Sequence, residues 1–388
     1  MFIRFIKNLD EILNMPIKDK IVGNLIKYIL IPRNEIIDQS GFIINKLSLQ
    51  KEITNLREIL LPESIFISLE KNIVKIYKNK GKKILYSTGK KFCYRYGLIS
   101  KYPTVEDGKF YLNFVYLLVR FLEAVYSSKM EHSININKRI FRLKMWDYIV
   151  CGKNGLGLIL TDGSAGLISY AFSDPTIEGA QVKCQGRGDK NCELVCATPE
   201  TLRKMKLKFI SAPDLNDLEL ENSYNSINAV RETEYSKTSF KDLVDTGFFT
   251  QRTGIIKHND ERFLLLESSI MYILENELKK LKGAIKILFN ISFNCGKEIM
   301  KKEPMKNKEK FITDFFGALG FGDVLVLKKD NKYNIIINYF PWTKWADKID
   351  FAMLRGMISG ILSTDRKVIL KKIEKDISKG YFSIYFGE

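Results

Sequence analysis

A long-period internal repeat constrains this chain more than any other feature. Residues 63–74 and 268–279 share helical apolar spacing, and Leu69 and Glu70 fall on Leu274 and Glu275. Each run is followed, after a glycine (Gly81 and Gly283), by a similar short segment, 83–87 and 286–290. Residues 121–124 then match 316–319, near the end of an apolar helix. Strand-like runs at 140–146 and 336–342 each close on a tryptophan, Trp146 and Trp342. Small-residue helices follow, with Gly166 and Ser169 on Gly356 and Ser359, and residues 184–196 take the place of 373–385. Matches that recur in one order with similar gaps mark a duplication, and a duplication sets the architecture before any motif does.

The repeat predicts a helical segment over 1–58, a first copy at 60–205, a polar linker at 206–261 and a second copy at 262–388. The N-terminal helix rests on Leu9, Ile12, Leu13 and Ile17, then Ile21, Leu25, Ile26 and Ile29, ending before Pro32. A further helix is expected over 47–60. Each copy orders helices, strands, a helix and final strands. Helices and an antiparallel sheet in separate blocks predict an α+β fold.

Composition excludes several classes. The 388 residues are 45% hydrophobic and 12% aromatic, enough for real cores. Lys and Arg outnumber Asp and Glu by 62 to 45, a net charge of +17. This excess would suit nucleic acid, but the lysines are spread along the whole chain, so phosphate binding is the lesser expectation. The most apolar segment, 110–126, contains Arg120 and Glu123 and is too short for a membrane span. The first ten residues carry charges within the apolar stretch and no cleavage site. A cytoplasmic protein is expected.

Cys184, Cys192 and Cys196 form the one local chemical signal. Residues 185–191 are rich in turn formers and would join two strand ends as a hairpin, bringing Cys184 and Cys192 together. Alternation places Cys192 and Cys196 on one strand face. Three thiols could then approach one point and hold zinc, with Cys151 or a water as fourth ligand. The competing reading is plain packing, since free cysteine is a common small core residue. A Cys184–Cys192 disulfide fits the geometry but not a reducing compartment.

Around Val182, Cys184, Gly188 and Cys192, after a small-residue helix, the chain resembles the 4-vinyl-reductase-type (V4R) domain family. Leu85, Tyr86 and Gly89 extend the likeness. The resemblance implies a small α+β module around an apolar pocket for a hydrophobic small molecule, often dimeric. Its fold is shared with subunits of the transport-particle (TRAPP) tethering complex and related to haem nitric-oxide-binding domains. In the family's aromatic sensors two cysteines of this motif hold zinc, with a glutamate three residues before the first and an upstream cysteine. Cys184 and Cys192 match that pair. Gln181 stands at the glutamate position and Leu158 near the upstream cysteine, so zinc requires Cys151 or Cys196 in their place. The second copy has Ile373 and Tyr381 at the cysteine positions and is expected to bind no metal. It would instead pack against the first copy and imitate a homodimer within one chain.

No catalytic constellation emerges, so an enzyme is not expected. Residues 152–157 lack the phosphate-loop spacing and read as a turn. His132 and His258 are expected at the surface, and Glu275 and Glu277 on a charged helical face. The aromatic residues of the first copy, among them Phe92, Tyr111, Phe114, Phe121 and Tyr126, suit either a core or an apolar pocket wall. The expected partner is a small hydrophobic ligand, with a protein-interaction scaffold or homodimer as the alternative.

Overall fold

A computed structural model describes residues 18–25, 35–45, 56–211, 215, 230–252, 255–303, 307–330, 332–341, 349–363, 369–376 and 381–387. The fold is α+β, with helices packed on antiparallel sheets.

The same order of strands and main helices appears twice, with short helices added at different places and the first long helix broken at Lys78 (φ 51°). The first runs β1 (Glu35–Ile36), β2 (Ile43–Asn45), β3 (Leu56–Pro62), α2 (Glu63–Ser100), α3 (Lys109–Tyr126), β4 (Lys129–Asn135) and β5 (Ile140–Trp146). It continues through short helix α4 (Cys151–Asn154), α5 (Ala165–Ala171), β6 (Glu178–Lys183), β7 (Cys192–Ala197) and α6 (Pro199–Lys204). A short α1 (Lys18–Leu25) precedes it and packs Val22 beside Phe114 of α3. The second has α7 (Phe240–Asp245), β8 (Thr250–Arg252), β9 (Ile255–His258), β10 (Glu261–Glu267), α8 (Ser269–Leu278), α9 (Ala284–Lys302) and α10 (Lys308–Ala318). It closes with β11 (Asp323–Lys329), β12 (Lys332–Asn338), α11 (Ala352–Leu362), β13 (Ile369–Asp376) and β14 (Tyr381–Gly387).

Each copy folds its last four strands into a sheet of identical order, β4-β5-β7-β6 and β11-β12-β14-β13. The first three strands of both copies merge into one six-stranded sheet, β1-β2-β3-β10-β9-β8, which reads the same from either end. At its centre β3 and β10 run antiparallel, with Leu60 opposite Leu265.

Two sequence-based boundaries change. Residues 35–36, 43–45 and 56–62 are strands rather than the end of a helical segment. Their β-branched and leucine runs suit a sheet buried on both faces, which helical periodicity does not distinguish from a buried helix. Residues 240–261, expected as linker, carry α7, β8 and β9, and β9 pairs with β10. The expected helical positions Leu9 to Ile17, Ile26 and Ile29, residues 47–55 and residues 216–229 of the polar stretch lie outside the described residues.

Matched residues do matched work. Glu70 and Glu275 are both buried on the first helix of their copy. Glu70 accepts the Gly157 and Ile159 N–H groups at 3.0 and 2.8 Å and the Asn154 amide at 2.7 Å. Glu275 accepts the N–H groups of Asp350 and Ala352, at the start of α11. Each carboxylate thus satisfies backbone donors of a loop that would otherwise be buried without partners. Glu277, two residues on, is also buried, bridged to Lys91 of the first copy at 3.0 Å. Neither glutamate lies on a solvated face as expected. The small-residue helices pack alike too: a Cβ on Gly166 would lie 2.0 Å from the Lys90 carbonyl oxygen, and one on Gly356 2.5 Å from that of Phe289.

Two arginines lock the copies together. Arg57 on β3 is buried and donates to the carbonyls of Gly320 and Tyr339 in the second copy, at 2.9 and 3.1 Å, and to Gly41. Arg262, its counterpart on β10, donates to Tyr126 and Asp147 in the first copy, both at 3.0 Å. In both directions the acceptors lie at or just past the end of a helix (α3 or α10) and just past a strand (β5 or β12). The exchange is reciprocal, as a two-fold interface between identical subunits would be.

Candidate functional site: a thiol cluster beside an apolar cavity

The hairpin reading of residues 184–192 holds. Beyond β6 the Cys184 N–H donates to the Asp189 carboxylate at 2.7 Å, and the Cys184 carbonyl accepts from Arg187 and Asp189. Gly188 takes φ 95°, which completes the turn at little steric cost. This returns the chain so that Cys192 faces Cys184.

Cys151 reaches the pair from the segment after β5. Val150, just before it, has φ 56°, a costly conformation for a β-branched residue. The buried Glu63 carboxylate accepts the Val150 N–H at 2.7 Å and holds that turn in place. On the other side the backbone of Gly186 lies against Cys151. A Cβ there would sit 2.4 Å from the Cys151 carbonyl oxygen and 2.5 Å from the Gly155 nitrogen. Only glycine permits this approach without displacement. Where a turn was expected over 152–157, residues 151–154 make the short helix α4 and 155–157 the loop after it, wrapped around Glu70 and backing the thiols.

Cys151, Cys184 and Cys192 form one buried group, their sulfurs all within 4.8 Å of one another. Cys151 and Cys192 Sγ are 3.1 Å apart, and the Gln185 N–H donates to Cys192 Sγ at 3.4 Å. Hydrogen bonds from Cys151 and Cys192, helped by the Gly186 N–H and the Arg187 guanidinium, push the Cys184 thiol down to about 3. The same contacts hold the Cys151 thiol well above its ordinary value, and Cys192 goes up to about 11. The three thiols therefore hold their protons unequally, Cys184 least tightly, and Cys184 Sγ also lies 3.0 Å from the Cys151 carbonyl oxygen. A cation would be needed to draw off the other two protons.

The donor set fits a thiophilic metal. Tetrahedral zinc–sulfur bonds of about 2.3 Å place sulfurs about 3.8 Å apart, so Cys151 and Cys192, at 3.1 Å, would part by about 0.7 Å. Among the described residues no fourth His, Cys, Asp or Glu completes the group. Cys196 is not part of it. It shares a strand face with Cys192, but four residues of strand separate them by about 13 Å. Cys196 instead pairs in register with Phe141 and Gly179, a buried thiol pushed up by its burial. No metal-ligating group appears in the second copy among the described residues. His132 is half-buried against Phe141, and His258, expected at the surface, is buried. The His258 ring stacks on Phe248 at 3.9 Å because β9 turns that position inward between polar neighbours.

A cavity of about 140 Å³ lies in the same copy. Its walls include Phe92 and Tyr96 of α2, Tyr111 and Phe114 of α3, and Phe141 of β5. Phe121 and Tyr126, also singled out in sequence, line it too. One wall belongs to the other copy, where Leu265, Leu266 and Glu267 of β10 close the cavity beside Glu58 of β3. A space of this size, lined mostly by apolar groups, accepts a molecule of about one aromatic ring.

Glu58 is the unusual wall residue. It is buried, stands directly opposite Glu267 in the β3–β10 pairing, and accepts the Asn45 amide at 3.1 Å. Burial pushes its carboxyl up to about 7; the Asn45 amide opposes this and Glu267 adds to it. The nearby Tyr96 and Tyr102 hydroxyls, themselves pushed up by burial, stay neutral over this range. Folded Glu58 therefore keeps a proton that the unfolded chain releases above about pH 4.5. Its contribution is full below that pH and is lost as pH rises to about 7, roughly 3 kcal/mol in all. Urea unfolding at pH 5 and pH 7.5 should show the wild type losing more stability than Glu58→Gln across this window. Equal losses would refute the shift.

Among the described residues no helix is long and apolar enough to cross a membrane. Comparisons of the chain with family models, curated proteins and solved structures found no match.

Proposed function

We propose that this chain is a non-enzymatic small-molecule-binding protein of sensor type. Its first copy takes one small hydrophobic ligand and carries one zinc ion. The observation that carries the reading is the cavity's shared wall. A ligand there touches α2, α3 and the β3–β10 pair, so binding acts on the contact between the two copies. Ligand energy is thereby coupled to the one interface that joins them, as a sensor requires.

Cys151, Cys184 and Cys192 would hold the zinc, with an exogenous ligand in the fourth position. Bound there, the metal supplies a structural clamp rather than chemistry. It ties the β6–β7 hairpin to the segment that follows β5, the strand carrying Phe141 into the cavity wall. The resemblance of residues 182–192 to the V4R signature supports both parts of the reading. The second copy, without thiols at the matching positions 373 and 381, serves as the packing partner and supplies the cavity's far wall.

Toluene is the simplest probe of the cavity. Near-saturating toluene should raise the thermal midpoint of the intact protein by several degrees, since a ligand at about 100 times its Kd adds about 2.7 kcal/mol. An unchanged midpoint would contradict the proposal.

A further inference from the structure

The cavity carries an imbalance of charge that its apolar walls do not explain. Glu58 and Glu267 face one another across the β3–β10 pair, and both line the cavity. Glu267 is neutralised: Arg95 Nη1 donates to its carboxylate at 3.0 Å, and the Ser269 hydroxyl bonds to it as well. Among the described residues Glu58 has no such partner. Only the Asn45 amide reaches its Oε1, and its Oε2 is buried with no hydrogen-bond partner among the described residues. Tyr111 is a second residue of the cavity wall, and its hydroxyl oxygen is likewise buried and unpartnered among the described residues. Buried polar atoms left without partners are rare in folded proteins, and such exceptions call for an explanation. Here both belong to residues that line one cavity.

Resting on the ligand-binding reading above, we propose that the cavity's ligand is a single-ring or similarly compact apolar molecule bearing a protonated amine. The apolar body fills the space between α2 and α3. The ammonium group donates to Glu58 Oε2, the acceptor left open, and supplies the positive charge that the cross-strand carboxylate pair lacks. A neutral hydrocarbon would leave Glu58 Oε2 unsatisfied, and a neutral alcohol would satisfy it without balancing the charge. The carboxyl is already desolvated in the unliganded protein, so the cost of burying one of the two ions has been met in folding. Hydrogen bonds to charged groups exceed neutral ones by enough to change affinity on the order of tenfold.

The test is calorimetric titration of the full chain with toluene, benzyl alcohol and benzylamine at pH 7.5, repeated with Glu58→Gln. The expected result is benzylamine binding about tenfold or more tighter than either neutral probe. In Glu58→Gln that preference should vanish while toluene affinity changes by less than about threefold, which also shows the variant folded with its cavity intact. Toluene binding with no preference for benzylamine would overturn the amine inference and leave the cavity reading standing. A preference that survives in Glu58→Gln would overturn the role of Glu58. Failure of all three probes to bind would overturn the ligand-binding reading and this inference with it.

Discussion

Replacing Arg57 with alanine should lower the free energy of unfolding by about 4 kcal/mol, and Arg262→Ala by a similar amount. Each guanidinium reaches from its own strand into the other copy and satisfies carbonyl groups at the ends of a helix and a strand there. Truncation leaves those buried acceptors without donors and opens a cavity at the point where the copies meet. Arg57→Lys should recover only part of the loss, because one ammonium cannot span acceptors that a planar fork reaches together. Urea denaturation measures both. A loss below about 1 kcal/mol would mean that the copies are held by apolar packing alone, with the arginines incidental.

Cys184→Ser should abolish stoichiometric zinc, whereas Cys196→Ser should leave one zinc per chain. At free zinc a thousandfold above its Kd, loss of the ion should cost about 4 kcal/mol of stability. The discrimination between the two cysteines is the useful part. Both lie on the motif and both are buried, so loss of packing alone predicts comparable effects. Metal analysis with urea unfolding of the two variants separates the readings. Zinc retained in Cys184→Ser, or lost in Cys196→Ser, would contradict the ligand set.

Much of the duplication was legible in sequence because its marks are local. Leu69 and Glu70 repeat as Leu274 and Glu275, and both glutamates turn out to hold the same kind of loop. Their burial was not legible: a glutamate among lysines on a helix reads as solvated, and nothing nearby in sequence announces a loop 80 residues away that needs its oxygens. The strands of the central sheet were misread for a different reason. Short segments such as 43–45 and 56–61 are too brief to show a period of their own, and a strand buried on both faces looks like a buried helix. The hairpin at Cys184 and Cys192 was readable from its turn residues. Cys196 was misplaced because sharing a strand face does not mean reaching the same point. Cys151 could be named only as an alternative, since what brings it in is the close backbone approach at Gly186 and the Glu63 contact to Val150. The cavity's far wall was beyond sequence reasoning. Leu265, Leu266 and Glu267 reach the first copy only through pairing with a strand some 200 residues earlier in the chain.

The central claim is that a small apolar molecule binds in one place, within the first copy and against the strand of the second. Calorimetric titration of the intact chain with toluene, alongside a Val115→Trp variant that fills the cavity from α3, tests it most directly. The account predicts one molecule bound per chain in the wild type and none in a folded Val115→Trp variant. No binding to the wild type, two molecules per chain, or equal binding to the filled variant would contradict it.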